Sequence, residues 1–237
     1  MANLSFCNFP DVESILATTI KNFFYSKMKF TELFPQNTLK VSTDHPFLAL
    51  MDQQVPEGGS YNLESMPSIT VIDTNFNKLI ETAALPKKVI IKKEILDEIA
   101  FGGGDQFTMS KQDKAALTEA FKTTNILHAD GFETSRKTQI AIEVWADNNI
   151  MKSRLFDMVS LCLIEQSRTD VRTNYGLMIE EETISGERSG IYNFDFGKIL
   201  YGGIIRFTVG YFVGLYTVTE GDTILGGDVV IQNNSIL

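Results

Sequence analysis

The sequence predicts an α+β fold: a mostly antiparallel sheet with helices packed on one face and extended loops or arms. Three observations carry this. An amphipathic helical stripe opens the chain, a strand and a helix follow one another without a break near residues 138–166, and a long alternating segment runs through 204–217. The resulting order is helix, strands, insertion, strand, helix, strand, long strand. Strands and helices do not alternate regularly, which argues against a doubly wound parallel sheet.

The first helix lies in "FPDVESILATTIKNFFYSKMKF". Pro10 suits a first helical turn, and Asp11 and Glu13 sit near the positive end of the helix dipole. Val12, Ile15, Leu16, Ile20, Phe23, Phe24 and Met28 recur at helical spacing as one apolar stripe, made to lie on a sheet. Residues 36–66 hold an apolar pentad after Pro46 and a turn-rich loop at Pro56, Gly58 and Gly59. "MPSITVIDTNF" is a strand, with Ile69, Val71 and Asp73 on one face and Thr70 and Ile72 on the other. A second strand starts near Val89–Ile91, and Glu94–Ile99 admits either a strand or a helix.

Residues of about 100–135 read as a peripheral insertion into a single domain spanning 1–237. Gly102–Gly104 read as a hinge, Ser110 as an N-cap, Ala115–Phe121 as a short helix, and a loop continues to Gly131. "TQIAIEVWAD" then alternates as a strand with one buried face, Ile140, Ile142 and Val144 opposing Ala141, Glu143 and Trp145. In the next segment Asn148 or Asn149 can cap a helix. Its residues Ile150, Met151, Leu155, Met158, Val159, Cys162 and Leu163 are expected to pack inward, and Phe156 and Leu161 widen the stripe, so the helix is expected to be covered on more than one side. "YGLMIEEETIS" is a strand. The long strand follows, spanning some 45 Å at about 3.3 Å per residue. Its Gly210 and Gly214 share a face and invite close approach by a backbone or an aromatic ring. "GGDVVIQNNS" supplies a short strand or a loose tail.

Composition bounds what the chain can do. Its 237 residues, 43% hydrophobic and 22% charged, suffice for a core without a disulfide or metal staple. A formal charge of −9 argues against broad nucleic-acid binding, which needs clustered Lys and Arg. The densest basic cluster is Lys87, Lys88, Lys92 and Lys93. No membrane span is expected, because no window approaches about 18 uninterrupted apolar residues. The amino end lacks a basic and then apolar leader, and the two cysteines, Cys7 and Cys162, do not suggest a secreted scaffold. The expected compartment is the reducing cytoplasm in which the chain is made.

Catalytic constellations are sparse. The only histidines are His45 and His128, each read as an exposed side chain, and no nucleophile elbow or HExxH is present. Strand alternation splits Glu180, Glu181 and Glu182 across two faces, a solvated edge rather than a metal site. "AFGGGDQF" lacks the ending and context of a phosphate-binding loop, and "TEGDTILGGD" lacks calcium-loop spacing. No cofactor and no metal are expected.

"ISGERSGIYNFDFGKILYGGIIRF", residues 184–207, admits three readings. It can be a surface hairpin. It can be an anion site built from Arg188 and glycine amides. Or it can be an arm, carrying Arg188, Tyr192, Phe194, Phe196 and Tyr201, that packs against a neighbouring subunit, since Tyr, Phe and Arg are enriched at interface cores.

The order of an amphipathic helix, "PSITVID", "QIAIEVWADNNIMKSRLFDMVSLCLIE" and "IIRFTVGYFVG" resembles the small α+β virion proteins of tailed bacteriophages, the tail terminator and neck proteins. The resemblance covers about a third of the chain, chiefly residues 138–216, and is one of element order. It implies no catalytic site and a homo-oligomeric ring, commonly sixfold, that joins tail tube or sheath to neighbouring virion proteins. It also implies location in the virion and DNA that at most passes through the lumen. An acidic lumen would let that DNA slide. Other readings stay open: a baseplate or tail adaptor, a soluble enzyme using acids near Gly102–Asp105, and a small-ligand binding module.

Overall fold

The computed structural model describes residues 5–35, 38–44, 66–74, 79–80, 85–92, 107–108, 115, 118–120, 122, 126–168, 170–187, 191–193 and 199–219. The readings placed on His45, Glu94–Ile99, Gly102–Gly104, Ser110 and the last residues of the chain lie outside them. The fold is α+β and mostly antiparallel. The chain forms two compact units, one of residues 1–11, 79–136 and 211–237, the other of 12–78 and 137–210. Two strands, β7 (Ile126–Ala146) and β10 (Ile199–Thr219), contribute residues to both.

In the larger unit, α1 (Val12–Asn22) buries Val12, Ile15, Leu16, Ala17 and Ile20, as the stripe requires. The helix does not continue regularly through the aromatic run. Phe23–Lys27 form a π-helical turn, closed by the Met28 amide donating to the Phe23 carbonyl at 2.9 Å. The wider turn carries both Phe23 and Phe24 into the core, and Phe24 meets the fully buried Phe30 of α2 (Phe30–Leu33) edge-on at 6.0 Å.

β2 (Lys40–Ser42) runs parallel to β3 (Ser68–Asp73), and β3 pairs antiparallel with β7. The register sets Ile69 opposite Val144, Val71 opposite Ile142 and Asp73 opposite Ile140, so these residues share one face. α1 covers that face: Glu13 Oε1 accepts from the Asp73 amide at 2.5 Å, and Asp73 Oδ1 accepts from the Thr138 hydroxyl at 2.6 Å. β10 is the next strand after β7.

The helix α3 (Asn149–Arg168) begins as its sequence demands, with Asn148 Oδ1 accepting the Met151 amide at 2.8 Å. It buries Met151, Leu155, Phe156, Met158, Val159, Cys162 and Leu163. α4 (Asp170–Tyr175) follows, and Gly176, at φ +65°, makes the left-handed turn into β8 (Met178–Glu187). β8 pairs antiparallel with β10, but the register jumps between Arg206 and Thr208, leaving residues 181–184 of β8 as a bulge. Thr183 pins it, its Oγ1 accepting from the Thr208 amide and donating to the Glu180 carbonyl, each at 2.8 Å.

β7 differs from the expectation of one buried face. Ile140, Ile142 and Val144 are buried, and so are Ala141 and Trp145 on the reverse. Ser68 and Thr70, which share that reverse face, are buried too. The sheet is therefore covered on both sides near Trp145.

In the smaller unit, β1 (Ser5–Asn8) lies between β10 and β6 (Phe107–Thr108), antiparallel to both. β4 (Leu79–Ile80) pairs with β7, and β5 (Leu85–Lys92) pairs antiparallel with residues 126–133 of β7. The loop expected up to Gly131 is thus strand from Ile126 onward. Small and polar residues occupy the face that a core strand normally fills with aliphatics, which hid the alternation from the sequence. Helical residues at 115 and 118–120 fall within the short helix expected there.

Candidate assembly surfaces

The glycines of 184–207 are placed by aromatic rings. Gly186 and Gly203, on neighbouring strands β8 and β10, both lie under the Phe156 ring of α3; a methyl group on Gly203 would stand 2.9 Å from Phe156 Cδ2. Gly202, which points to the opposite face, takes the Trp145 ring, with a methyl group there 2.7 Å from Cζ3. Trp145 is oriented in turn by Glu143, whose Oε2 accepts its indole N–H at 3.1 Å. These positions need glycine because a helix and a neighbouring strand seat rings on bare backbone.

The same device recurs in the smaller unit. Tyr216 lies across Gly131 and Gly214, with methyl groups there 2.7 Å from its Cδ1 and its hydroxyl respectively. The Tyr216 hydroxyl donates to Glu133 Oε1, and Glu133 Oε2 accepts from Lys87 Nζ at 2.5 Å. Burial, reinforced by the Glu133 carboxylate, pushes the Tyr216 phenol well above its ordinary value. The carboxylate is inward-facing, yet it is held by a hydroxyl and an ammonium.

Of the expected arm residues, Arg188, Phe194 and Phe196 lie outside the described residues. Tyr192 belongs to β9 (Ile191–Asn193), which pairs antiparallel with the start of β10: Tyr192 faces Leu200, and Ile191 faces Tyr201. Tyr201 is half-buried and Leu200 is buried, so the base of the segment is tied into the sheet as two paired strands.

A second surface lies on α3, and its sequence signal was read only in part. Ile150 is 69% exposed, although it was expected to pack inward, and Leu161, expected to extend the stripe to a second side, is 58% exposed. At about 100° per residue, Ile150 lies eleven positions and three turns from Leu161, opposite Leu155 and Val159. Ile164 joins them, so α3 carries an outward apolar row interleaved with the exposed Arg154 and Asp157. In the smaller unit Ile126, Phe132 and Leu215 are likewise exposed. Periodicity alone contains this signal: the helix is apolar on two sides.

Ionisable groups are dispersed. Among the described residues no three His, Cys, Asp or Glu side chains come together as a metal-binding group. Glu181 and Glu182 are exposed in the β8 bulge, and Glu180 pairs with Lys137. His128 is half-buried in β7, where an exposed loop position was expected. Cys162 is fully buried, and its thiol is pushed up to about 12 by burial first and the Glu165 carboxylate second. Among the described residues no helix is long and apolar enough to cross a membrane. No protein-family model and no curated protein matches the chain.

Proposed function

We propose that this chain is a structural, self-assembling virion protein that forms a ring at the tail end or head–tail neck of a tailed bacteriophage and joins tail tube or sheath to its neighbours. The observation that carries the assembly reading is the outward apolar row of α3. Ile150, Leu161 and Ile164 lie on a well-capped twenty-residue helix whose opposite side is already buried. A helix that has filled its core-facing side and remains apolar outside is built to meet a second surface. The virion assignment rests on the element order: helix, the "SITVID" strand, a strand running directly into a long helix, and a long closing strand. A baseplate or tail adaptor shares that support and differs only in its neighbours.

Sedimentation velocity with negative-stain imaging of the purified full chain tests this. Closed rings, or higher-order species formed on adding tail-tube or connector proteins, are expected. A chain that stays monomeric at high concentration and ignores such partners overturns it.

A further inference from the structure

Two strands at the edges of their units carry opposite charge. Among the described residues β5 pairs only with β7, and β8 pairs only with β10, so each has one side without a described strand partner. β5 reads "LPKKVIIK": Leu85, Pro86, Lys87 and Lys88 are exposed, and Lys92 adds a third basic position in sequence. β8 reads "MIEEETISGE", with Glu181, Glu182 and Glu187 exposed and a bulge that breaks its ladder. Lysines, a proline and a bulge on edge strands discourage a strand from pairing with its own kind. Here the two edges discourage self-pairing with opposite signs. Lys against Lys and Glu against Glu repel, whereas the β5 edge and the β8 edge attract.

We propose that the β5 edge of one copy meets the β8 edge of a second copy, head to tail, with Lys88 and Glu182 among the charges that choose the partner. The inference rests on the assembly reading and gives it a direction. Two different patches that complement one another make a heterologous contact, which continues from copy to copy into a ring or filament instead of stopping at a twofold dimer. Charge complementarity supplies orientation and encounter rate, and apolar surface such as the exposed Leu85 supplies burial.

The test is a charge swap in the full chain, read by sedimentation velocity at low and at high salt. Lys88→Glu and Glu182→Lys each lower the association constant at least tenfold while leaving the circular dichroism and melting temperature of the monomer unchanged. The K88E/E182K double variant recovers association, because every contact in the series is then reversed together. Wild-type association weakens as salt screens the pair. If the wild type assembles and the single variants assemble equally well, the edge contact is overturned and the assembly reading stands. Single variants that weaken without recovery in the double also overturn it. A wild type monomeric throughout removes both.

Discussion

The Phe156 ring rests on Gly203 of β10 and on Gly186 of β8, so one aromatic side chain of α3 locks a helix to two adjacent strands. A ring seated on bare backbone leaves no room for a Cβ, and the helix behind it limits retreat.

Gly203→Ala is therefore expected to destabilise the fold by about 1–3 kcal/mol, the range for overpacking a filled core. Phe156→Leu should cost stability alone but recover part of the loss when combined with Gly203→Ala. A double-mutant cycle by urea unfolding measures this coupling. Strict additivity would show that the ring and the glycine do not share the site.

The outward row of α3 separates folding from assembly. Leu161→Ser should change monomer stability by no more than about 0.5 kcal/mol, as for other surface positions, whereas Leu155→Ala should cost about 2–5 kcal/mol. In sedimentation, Leu161→Ser should shift the protein toward monomer. Wild-type association by the Leu161→Ser variant would remove the row from the interface.

Tyr216 links stability to alkaline pH. Its phenol has an ordinary value of 10.0 and is raised in the folded state by burial and then by Glu133. The unfolded chain thus releases this proton at lower pH than the folded one. The stabilisation is complete below pH 10 and is lost as pH rises above it. Tyr216→Phe should flatten that alkaline decline. At neutral pH it should cost about 1–3 kcal/mol, because Glu133 loses its hydroxyl donor. Urea midpoints from pH 7 to 11 provide the measurement.

The two thiols should react at very different rates. Cys162 lies on the buried side of α3 and its ionisation is pushed up to about 12, while Cys7 is half-buried in β1. A thiol reagent at pH 8 should label Cys7 in the native protein and reach Cys162 only at the rate of unfolding. Rapid labelling of both would contradict the packing of α3.

Lys29 is the one described non-glycine residue with positive φ, at +48°, where the chain passes from the π-helical turn into α2. Lys29→Gly should raise stability by about 0.5–1 kcal/mol, since relief of the left-handed cost of a Cβ outweighs the added freedom of the unfolded chain. Thermal melting of the variant reads this directly.

Elements with strong periodicity were legible before the structure: the stripe of α1, the alternation of β3, the Asn148 cap and buried side of α3, and the closing strand. The aromatic approach expected at Gly214 is supplied by Tyr216, two residues along the same strand. What escaped were relations between distant residues. Trp145 is buried because Gly202 opens a seat fifty-seven positions away, and no local pattern announces it. Residues 126–131 looked like a loop because this stretch of β7, with Gly131 and the following Glu133, answers to Tyr216 and Lys87 instead of to an aliphatic core. The second apolar side of α3 was legible in part: Leu161 widened the stripe beyond one side, but Ile150 was assigned to the inward set and turns outward beside Leu161 and Ile164.

β7 and β10 each pass from one compact unit into the other, and four chain positions separate the units in all. Neither unit is a continuous stretch of polypeptide. Every single protease nick or gene truncation therefore divides the smaller unit, whereas the larger one stays whole when the cut falls before residue 12 or after residue 210. Fragments cut between those points hold neither unit whole and should survive only in each other's company.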